Sequence, residues 1–393
     1  MFHALAEYFL KKGWRVTILT GVPYRFSDGK IVPGYKMRVW QTETIDGIRI
    51  IRLPLYISQD QSGFRRMLCY VSFGLAAATL GLFGIGRPDV VYCYNLPTLG
   101  WAARLFRFLK KTKVVLMIQD LWPESVTESG MMKNRGLNWV LGWWARRFYR
   151  TADALTGLSP GFRDHLVAQG IRRDRISVVY NWTDENVAIP PATRPRANGE
   201  PFIVSYAGNM GIMQSLETVL DAADILQKRG VSVIFRLIGD GVRLNDLTVS
   251  ARTRKLNNVV FVPRMPGNEL ATELGRAHAL LVHLKKNELF KITIPSKTQA
   301  YLRSGKPIIN GVAGEVARMI AEANAGRSFE PENPQSLADV VEEMSNWTFD
   351  QLISTGRNGQ VYYNKTCSFA IAAKKLEELF QRVIKGDNDA QRI

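Results

Sequence analysis

Two successive series of short apolar segments run along the chain, and helical stretches separate the segments of each series. The first series occupies residues 15–20, 48–54, 88–95, 112–120, 152–159 and 176–181. The second series occupies residues 202–208, 233–241, 258–265, 279–284 and 306–310. Apolar strands that alternate with helices predict a parallel sheet covered on both faces. The sequence therefore predicts two doubly wound α/β domains in tandem, which its length of 393 residues also favours.

A proline-rich segment separates the two series. Residues 183–201 contain four prolines, little periodicity and mixed charge, which is typical of a linker. We therefore expect a first domain over residues 1–183, a linker over 184–200 and a second domain over 201–368. In doubly wound sheets, ligands bind beyond the carboxyl ends of the strands. Two such edges facing each other would form a cleft at the linker.

The positive charge is concentrated in the first half. The net charge is +17, and residues 1–183 hold 26 Lys and Arg against 12 Asp and Glu. This asymmetry suggests a polyanionic partner, either nucleic acid, an anionic membrane surface or a phosphorylated substrate, with plain solubility as the alternative. The chain has no basic-aromatic cluster of a known nucleic-acid-binding type, so we expect no nucleic-acid partner.

The segment from Met67 to Gly86 contains no charged residue. Its length makes it a candidate transmembrane helix, but several glycines and polar residues interrupt it, and arginines flank it. Three interpretations stay open: a helix at the membrane interface, a buried helix and a true span. A span would have to interrupt the first sheet.

Cysteines and histidines predict neither a disulfide framework nor a metal site. The three cysteines lie far apart, which fits a reducing cytoplasm. The four histidines have no spacing suited to zinc. These residues are Cys69, Cys93, Cys367, His3, His165, His278 and His283. Asp387 and Asp389 form a D-x-D pattern in a polar tail, which we interpret as solvated.

Glycines follow two strands of the second series. Gly208, Asn209 and Gly211 lie between a strand and a helix, and Gly239 and Gly241 flank Asp240 after the next strand. Glycine lets a backbone turn sharply and approach a phosphate closely. Each stretch alone could equally be a plain tight turn. Because both are expected at the same edge of one sheet, we interpret them as a candidate phosphate site.

The stretch "IPSKTQAYLRSGKP" predicts a helix whose first turn carries a lysine. Ser296 is a suitable N-cap, and Lys297 and Thr298 would then occupy the first turn. Free N–H groups there attract anions, and a lysine beside them is favourable when an anion is bound. This arrangement suits a diphosphate, and a solvated lysine is the alternative.

Two carboxylates follow a strand of the first series. In "MIQDLWPES", Asp120 and Glu124 are expected at the edge of the first sheet. Asp120 could orient a sugar hydroxyl or act as a base, and Trp122 could stack on a sugar face. A helix cap, a loop ion pair and a core tryptophan are the alternatives.

These motifs together resemble those of bacterial glycosyltransferases of the GT-B fold, in retaining family 4. The resemblance is greatest to enzymes of O-antigen, capsule and exopolysaccharide assembly. The matching stretches span nearly the whole chain in order: "GWRVTILTGVPYRFSDGKIVPGY", "DGIRIIRLPLY", "IQDLWPES", "LSPGFRDHLVAQGI", "VVYNWTDE", "VSYAGNMG", "LIGDG" and "IPSKTQAYLRSGKPII".

The resemblance implies a sugar transfer. The second domain would hold a nucleotide-sugar, expected to be UDP-linked and N-acetylated, and the first would hold a polyprenyl-diphosphate-linked sugar as acceptor. The reaction would retain the anomeric configuration and need neither a metal nor a cofactor. A C-terminal helix and tail over 369–393 would pack on the first domain. We expect a cytoplasmic protein at the inner face of the plasma membrane.

The chain departs from the family pattern in three places. Ile292 and Ala300 stand where the family has two glutamates, so the ribose contact is expected from Glu288 or Glu315. Asn209 and Gln214 stand where an Arg and a Lys often bind phosphate, so Lys297, Arg264 or Arg243 are expected to substitute. The family normally begins with a strand and a glycine-rich loop before the helix that here starts at about Phe2, so we expect a first domain that is truncated at its N-terminus. A catalytic histidine of the wider family falls near Gln119, which directs attention to Asp120.

Two other functions stay open. One is a nucleotide-sugar epimerase of the GT-B fold, which would use the same donor site. The other is a non-catalytic, glycosyltransferase-like assembly subunit.

Overall fold

The computed structural model describes residues 2–25, 29–57, 63–94, 97–122, 124, 135–190, 195–197 and 199–390. The chain divides into two compact units. The first consists of Met1–Leu158, Phe162–Val179 and Ala373–Ile393, and the second of Ser159–Gly161 and Tyr180–Ala372.

The first unit contains a three-stranded and a four-stranded sheet. The three-stranded sheet has the order β1-β3-β2, with β1 parallel and β2 antiparallel to β3. The four-stranded sheet is parallel, in the order β4-β5-β6-β7. These strands are β1 (Thr17–Gly21), β2 (Gln41–Ile45), β3 (Ile48–Leu53), β4 (Val90–Tyr94), β5 (Lys113–Ile118), β6 (Ala154–Gly157) and β7 (Ile176–Val178).

The helices of the first unit connect these strands. They are α1 (Phe2–Lys11), α2 (Gly63–Ala76), a π-helical turn (Ala77–Gly81), α3 (Leu82–Gly84), a 3₁₀ turn (Pro97–Leu99), α4 (Gly100–Lys110), α5 (Arg135–Thr151), α6 (Pro160–Ala168) and a 3₁₀ turn (Arg173–Arg175). Because α4 and α5 each join two parallel neighbours, they are the crossover helices that a parallel sheet requires.

Strand β3 was predicted at residues 48–54, but β2 and the hairpin that it forms with β3 were not. Asp46 and Gly47 form its turn with φ of 50° and 78°. Two successive residues at positive φ are typical of the tight turn that Asp-Gly favours between antiparallel strands. The dipeptide was therefore a signal from which the hairpin could have been predicted.

The uncharged segment forms one irregular helix within the first unit. Its inner side chains contact β3 and α4, with Ala76, Ala77 and Ala78 clustered beside Leu53 and Ala102. The helix Met67–Gly84 has a mean hydropathy of 1.7, which by length and composition alone is compatible with crossing a membrane. However, 39% of it is buried inside the protein. Length and composition are weak evidence for a span because a core helix passes the same test.

The last helix, α15 (Phe369–Ala390), contributes to both units. From Ala373 onward it belongs to the first unit. Phe380 stacks on Phe9 of α1 with ring centroids 5.3 Å apart, and Tyr8 donates a hydrogen bond of 2.6 Å to Glu377.

The second unit is built on one parallel sheet of six strands, in the order β10-β9-β8-β11-β12-β13. The chain starts in the middle of the sheet and extends in both directions, as in a doubly wound fold. The strands are β8 (Phe202–Asn209), β9 (Val233–Asp240), β10 (Val259–Val262), β11 (Ala279–His283), β12 (Ile308–Gly311) and β13 (Gly326–Ser328).

Helices connect the strands of the second unit. They are a 3₁₀ turn (Ile212–Gln214), α7 (Glu217–Lys228), α8 (Leu244–Thr253), α9 (Gly267–Gly275), α10 (Glu288–Ile292), α11 (Ser296–Ser304), α12 (Glu315–Ala323), α13 (Pro334–Ser345) and α14 (Phe349–Thr366). In α7, Val219, Leu220, Ala223 and Leu226 recur at helical spacing and are buried against the sheet. The predicted fold, two Rossmann-like α/β domains, is confirmed.

Candidate functional site

The carboxyl ends of β8 and β9 bring two of the predicted glycines side by side. Gly208 pairs with Gly239 in the sheet register, with φ of 141° and 142°. A Cβ added to Gly239 would lie 2.0 Å from the carbonyl oxygen of Gly208. The two backbones can approach this closely because Gly239 has no side chain.

The residues after these glycines form a compact turn. The amide of Met210 donates to the carbonyl of Asp240 at 2.8 Å, and a Cβ on Gly241 would lie 2.5 Å from the carbonyl oxygen of Met210. The amide of Gly211 donates to Oε1 of Gln214 at 3.0 Å. Asn209, which pairs with Asp240 in register, also donates to that oxygen, at 3.4 Å. The sheet edge is therefore lined by main chain and small polar groups.

The helix predicted to follow this edge begins one residue earlier than expected. Ser296 is the first residue of α11, and Pro295 is the N-cap residue. The amide of Thr298 donates to the carbonyl of Pro295 at 2.9 Å. Lys297 and Thr298 lie in the first turn, as the sequence predicted.

Lys297 reaches back from this turn to the glycine edge. Its Nζ lies 3.6 Å from the ring centroid of Tyr206, a residue of β8. A Cβ on Gly208 would lie 3.0 Å from the same Nζ. The side chain of Lys297 therefore occupies space that the missing side chain of Gly208 leaves open.

The amine of Lys297 is buried without a hydrogen-bond partner among the described residues. This burial lowers the pKa of Lys297 from 10.5 to about 7. The hydroxyl of Thr298, one residue on, is also buried, and no described group bonds to it. A buried polar group without a partner is costly. An anion at the glycine edge would supply that partner.

A second buried lysine of the same unit shows the contrast. Lys306 donates to the carbonyl oxygens of Gly275 and Ala277 at 2.7 and 2.8 Å. Burial lowers the pKa of Lys306 to about 8. The amine of Lys306 thus has hydrogen-bond acceptors at the end of α9, whereas the amine of Lys297 lies over the ring of Tyr206 and has no hydrogen-bond acceptor among the described residues.

His283 lies at the carboxyl end of β11, next to the turn at Gln214, and from the sequence it was assessed only as a possible metal ligand. Its Nε2 accepts from the amide of Glu332 at 3.1 Å, so Nδ1 carries the proton and donates to the carbonyl of Gln214 at 2.9 Å. Burial lowers the pKa of His283 to about 4. The neutral ring therefore fixes the Gln214 turn. A polar residue at the end of a fully buried strand was the available signal.

The remaining predicted donor residues are placed differently. Arg243 precedes α8 and forms ion pairs with Glu217 at 2.6 Å and Asp246 at 2.8 Å. Arg264 is exposed beyond the end of β10. Glu315 accepts from the amide of Gly161, which belongs to the same unit, at 2.7 Å with one oxygen and pairs with Arg318 through the other. Both oxygens of Glu315 are therefore engaged within the protein.

In the first unit, Asp120 follows β5 as predicted. Burial raises the pKa of its carboxyl group. Burial also raises the pKa of Tyr94, at the end of the neighbouring β4, and the charge of Asp120 adds to that effect. Asp120 and Tyr94 therefore interact at the carboxyl edge of the four-stranded sheet.

Glu124 forms a polar cluster with two residues near the end of α6. One of its oxygens lies 3.3 Å from Nε2 of His165 and accepts from Gln169 at 3.3 Å. Burial acts to raise the pKa of Glu124, but hydrogen bonding and the charge of His165 hold the pKa below its ordinary value. Nearby in sequence, the indole N–H of Trp122 is buried and bonds to no described residue.

Within the described ranges, one group of side chains has the composition of a metal site. His3, Glu7 and Asp46 bring three ligand atoms within 4.8 Å of one another. The group lies on α1 and the hairpin turn, away in sequence from every residue of the glycine edge.

Two family models match successive parts of the chain. Residues 1–182 match the "Glycosyl transferase 4-like domain", and residues 193–353 match "Glycosyl transferases group 1".

Two relatives have related descriptions. The "Probable glycosyltransferase WbjE" of Pseudomonas aeruginosa is 26% identical over 276 residues, 66% of each chain. The match thus spans just under two thirds of the length of WbjE. The "Putative colanic acid biosynthesis glycosyl transferase WcaI" of Escherichia coli (strain K12) is 25% identical over 358 residues, 86% of each chain.

A solved structure shows the same fold. HepE of Anabaena, in complex with UDP and glucose, superposes with a TM-score of 0.63 and 14% identity. The match covers 85% of this chain and 86% of HepE.

Proposed function

Since this chain carries the two domains of a GT4-type glycosyltransferase, a 4-like domain followed by a group 1 domain, we propose that it is a retaining, metal-independent sugar transferase. Its donor would be a nucleotide-sugar, UDP-linked and N-acetylated. Its acceptor would be a polyprenyl-diphosphate-linked sugar of a surface polysaccharide, reached at the inner face of the plasma membrane. The curated relatives support the pathway, and HepE, which binds UDP, supports the donor class.

The observation that carries the proposal is the buried amine of Lys297 beside Gly208. A diphosphate at the glycine edge would accept a charge-assisted hydrogen bond from the amine of Lys297, which has no other acceptor among the described residues. Charge accumulates on this diphosphate when the sugar departs. A cation already fixed beside it would therefore stabilise the transition state without reorganisation.

The carboxylates of the first unit would serve the acceptor. Asp120 would orient a sugar hydroxyl or accept its proton, and its raised pKa makes it a stronger base than an ordinary aspartate. Glu124, held by His165 and Gln169, would position the acceptor sugar.

Calorimetry with UDP tests the donor assignment directly. We expect the wild type to bind UDP and Lys297→Met to bind it at least about tenfold more weakly, since a charge-assisted hydrogen bond contributes about 1.5–3 kcal/mol. Lys286→Met, which removes an exposed lysine paired with Glu330, is the matched control and should bind as the wild type does. Equal affinity of Lys297→Met and the wild type would refute the assignment. Turnover of nucleotide-sugar without any acceptor would instead favour an epimerase.

A further inference from the structure

Three helical segments of the first unit turn large apolar side chains outward: the irregular helix α2–α3, and the helices α4 and α5. Of the 20 large hydrophobic side chains that are exposed in the described residues, nine lie on α2, α3, α4 and α5. Phe83 is 88% exposed and Phe108 is 81% exposed. Single exposed apolar residues are ordinary, but a contiguous patch marks an interaction site. We call this surface the outer face: Leu68, Leu75, Phe83, Trp101, Phe108, Leu109, Trp139, Val140 and Trp143.

These side chains share a face with basic residues. In α4, Trp101, Arg104 and Phe108 follow one another at helical spacing and are exposed. In α5, Trp143 and Arg147 do the same. Each helix therefore offers an apolar stripe with cations along it.

Direct contacts join the helices into one surface. The rings of Trp101 and Trp144 lie 5.7 Å apart, which places α4 against α5. The amine of Lys110 donates to the carbonyl of Gly86 at 3.1 Å, which ties the end of α4 to the end of α3. The exposed side chains of the outer face therefore lie on neighbouring helices of the first unit.

The charge of the outer face is positive. Five exposed cations on or beside it form no ion pair with any described residue: Arg87, Arg104, Lys111, Arg147 and Arg150. Between residues 63 and 113 the sequence contains eight Lys and Arg and a single acid, Asp89. Residues 135–151 contain four arginines and no acid.

We propose that the outer face docks the protein on a bilayer that contains anionic lipid. The inference rests on the proposed function, because a polyprenyl-linked acceptor resides in a membrane. The apolar side chains would enter the boundary between headgroups and acyl chains, where tryptophan is favoured, and the cations would face lipid phosphates.

The same features disfavour a second copy of the chain as the occupant. A two-fold interface brings the same surface of both subunits together. Five cations without acidic partners would then face five identical cations, which is repulsive.

Close packing of the inner side disfavours a membrane span. A Cβ on Gly74 would lie 2.5 Å from the carbonyl oxygen of Thr98, and one on Gly81 would lie 2.8 Å from Leu19. These glycines hold the helix tightly against the first unit. Extracting it into a bilayer would break that packing.

Vesicle co-sedimentation tests the docking surface. The probes are phosphatidylcholine vesicles with and without phosphatidylglycerol. One variant is Phe83→Ser/Phe108→Ser, and a second is Arg104→Glu/Arg147→Glu. The matched controls change exposed residues of the second unit in the same way: Val249→Ser/Val361→Ser and Arg252→Glu/Arg357→Glu.

We expect the wild type and both controls to bind only the anionic vesicles, and less strongly as salt rises. Each basic residue at a membrane surface is worth about fivefold in binding. The Arg104/Arg147 variant should therefore bind at least about 25-fold more weakly, and the Phe83/Phe108 variant should also lose binding.

Three results would overturn the proposal. They are no binding of the wild type to anionic vesicles, equal binding of variants and controls, and a wild-type dimer in light scattering that the Phe83/Phe108 variant dissociates. UDP calorimetry on the same proteins separates the two proposals. If the wild type binds UDP but not anionic vesicles, only the docking surface is refuted. If the wild type binds vesicles, the variants lose that binding and the protein does not bind UDP, only the nucleotide-sugar function is refuted.

Discussion

Replacing Lys297 by methionine should stabilise the ligand-free protein. The pKa of Lys297 is lowered from 10.5 to about 7. Each tenfold change in an ionisation constant corresponds to about 1.4 kcal/mol, so burial of the charged amine costs about 5 kcal/mol below pH 7. The cation–π contact between the charged amine and the Tyr206 ring, which is shielded from water, offsets up to about 2 kcal/mol of this cost. Methionine removes both effects, and we expect a net gain of about 3 kcal/mol at pH 6.

The gain should depend on pH in a defined direction. Between pH 7 and 10.5 the unfolded chain holds the Lys297 proton while the folded protein has released it. The wild type therefore becomes more stable as pH rises through this range, by about 1.4 kcal/mol per pH unit. The advantage of Lys297→Met should shrink accordingly and vanish near pH ~9.

Thermal unfolding followed by calorimetry measures this. At pH 6 the transition of the second unit should rise by about 6–12 °C, since 1 kcal/mol shifts a unit of this size by about 2–4 °C. Lys306→Met is the contrasting variant. It leaves the carbonyls of Gly275 and Ala277 without their donor, so its transition should fall. An unchanged or lowered transition for Lys297→Met would show that Nζ already has a partner, and would refute the reasoning.

Three further results follow from the same geometry. Gly208→Ala should weaken UDP binding at least about tenfold, because the added Cβ lies 3.0 Å from Nζ of Lys297, and should leave the circular dichroism spectrum unchanged. The control is Gly267→Ala, whose Cβ meets nothing within 4 Å, and this variant should bind UDP normally. The affinity for a UDP-sugar should fall about tenfold per pH unit above pH ~7, because the bound diphosphate favours the charged amine of Lys297. Calorimetry should then show proton uptake on binding, and an affinity that does not change with pH would count against Lys297 as the anion partner. Asp120→Asn should lower the transfer rate by about 10²–10⁴-fold and leave the dissociation constant of UDP unchanged; a parallel loss of UDP affinity would contradict a role on the acceptor side.

The fold could be predicted because two kinds of periodicity alternate along the whole chain. Five of the six strands of the second unit start and end within a few residues of their predicted positions; β8, predicted at 202–208, runs Phe202–Asn209. The sixth strand, β13 (Gly326–Ser328), was not predicted. A buried parallel strand must be apolar on both faces, so its signal is strong. The hairpin of β2 and β3 was missed because its outer strand is mostly polar and exposed.

Part of the candidate site could be predicted and part could not. The glycines after β8 and β9 fall at one sheet edge as a consequence of the fold class, and they were predicted. The contact of Lys297 with Tyr206 joins residues about 90 positions apart, and no local pattern encodes it. The engagement of both Glu315 oxygens depends on Gly161, which is still farther away in sequence.

The helix between Met67 and Gly84 shows a similar limit. Composition alone left burial, interfacial location and a span open. Its glycines gain a structural meaning only beside Thr98 and Leu19, which they contact. The structure adds that the helix is buried on one side and exposes Leu75 and Phe83 on the other.

The lowered pKa of Lys297 should also favour its reaction with electrophiles that reach the glycine edge. At neutral pH about half of its amine is unprotonated, whereas an ordinary lysine is almost wholly protonated. An unprotonated amine is a nucleophile that forms imines with aldehydes. Pyridoxal phosphate, an aldehyde that carries its own phosphate, should therefore modify Lys297 selectively after borohydride reduction. If bound UDP protects Lys297 from modification, the fraction of modified protein would measure how much of the site at the glycine edge is occupied by UDP.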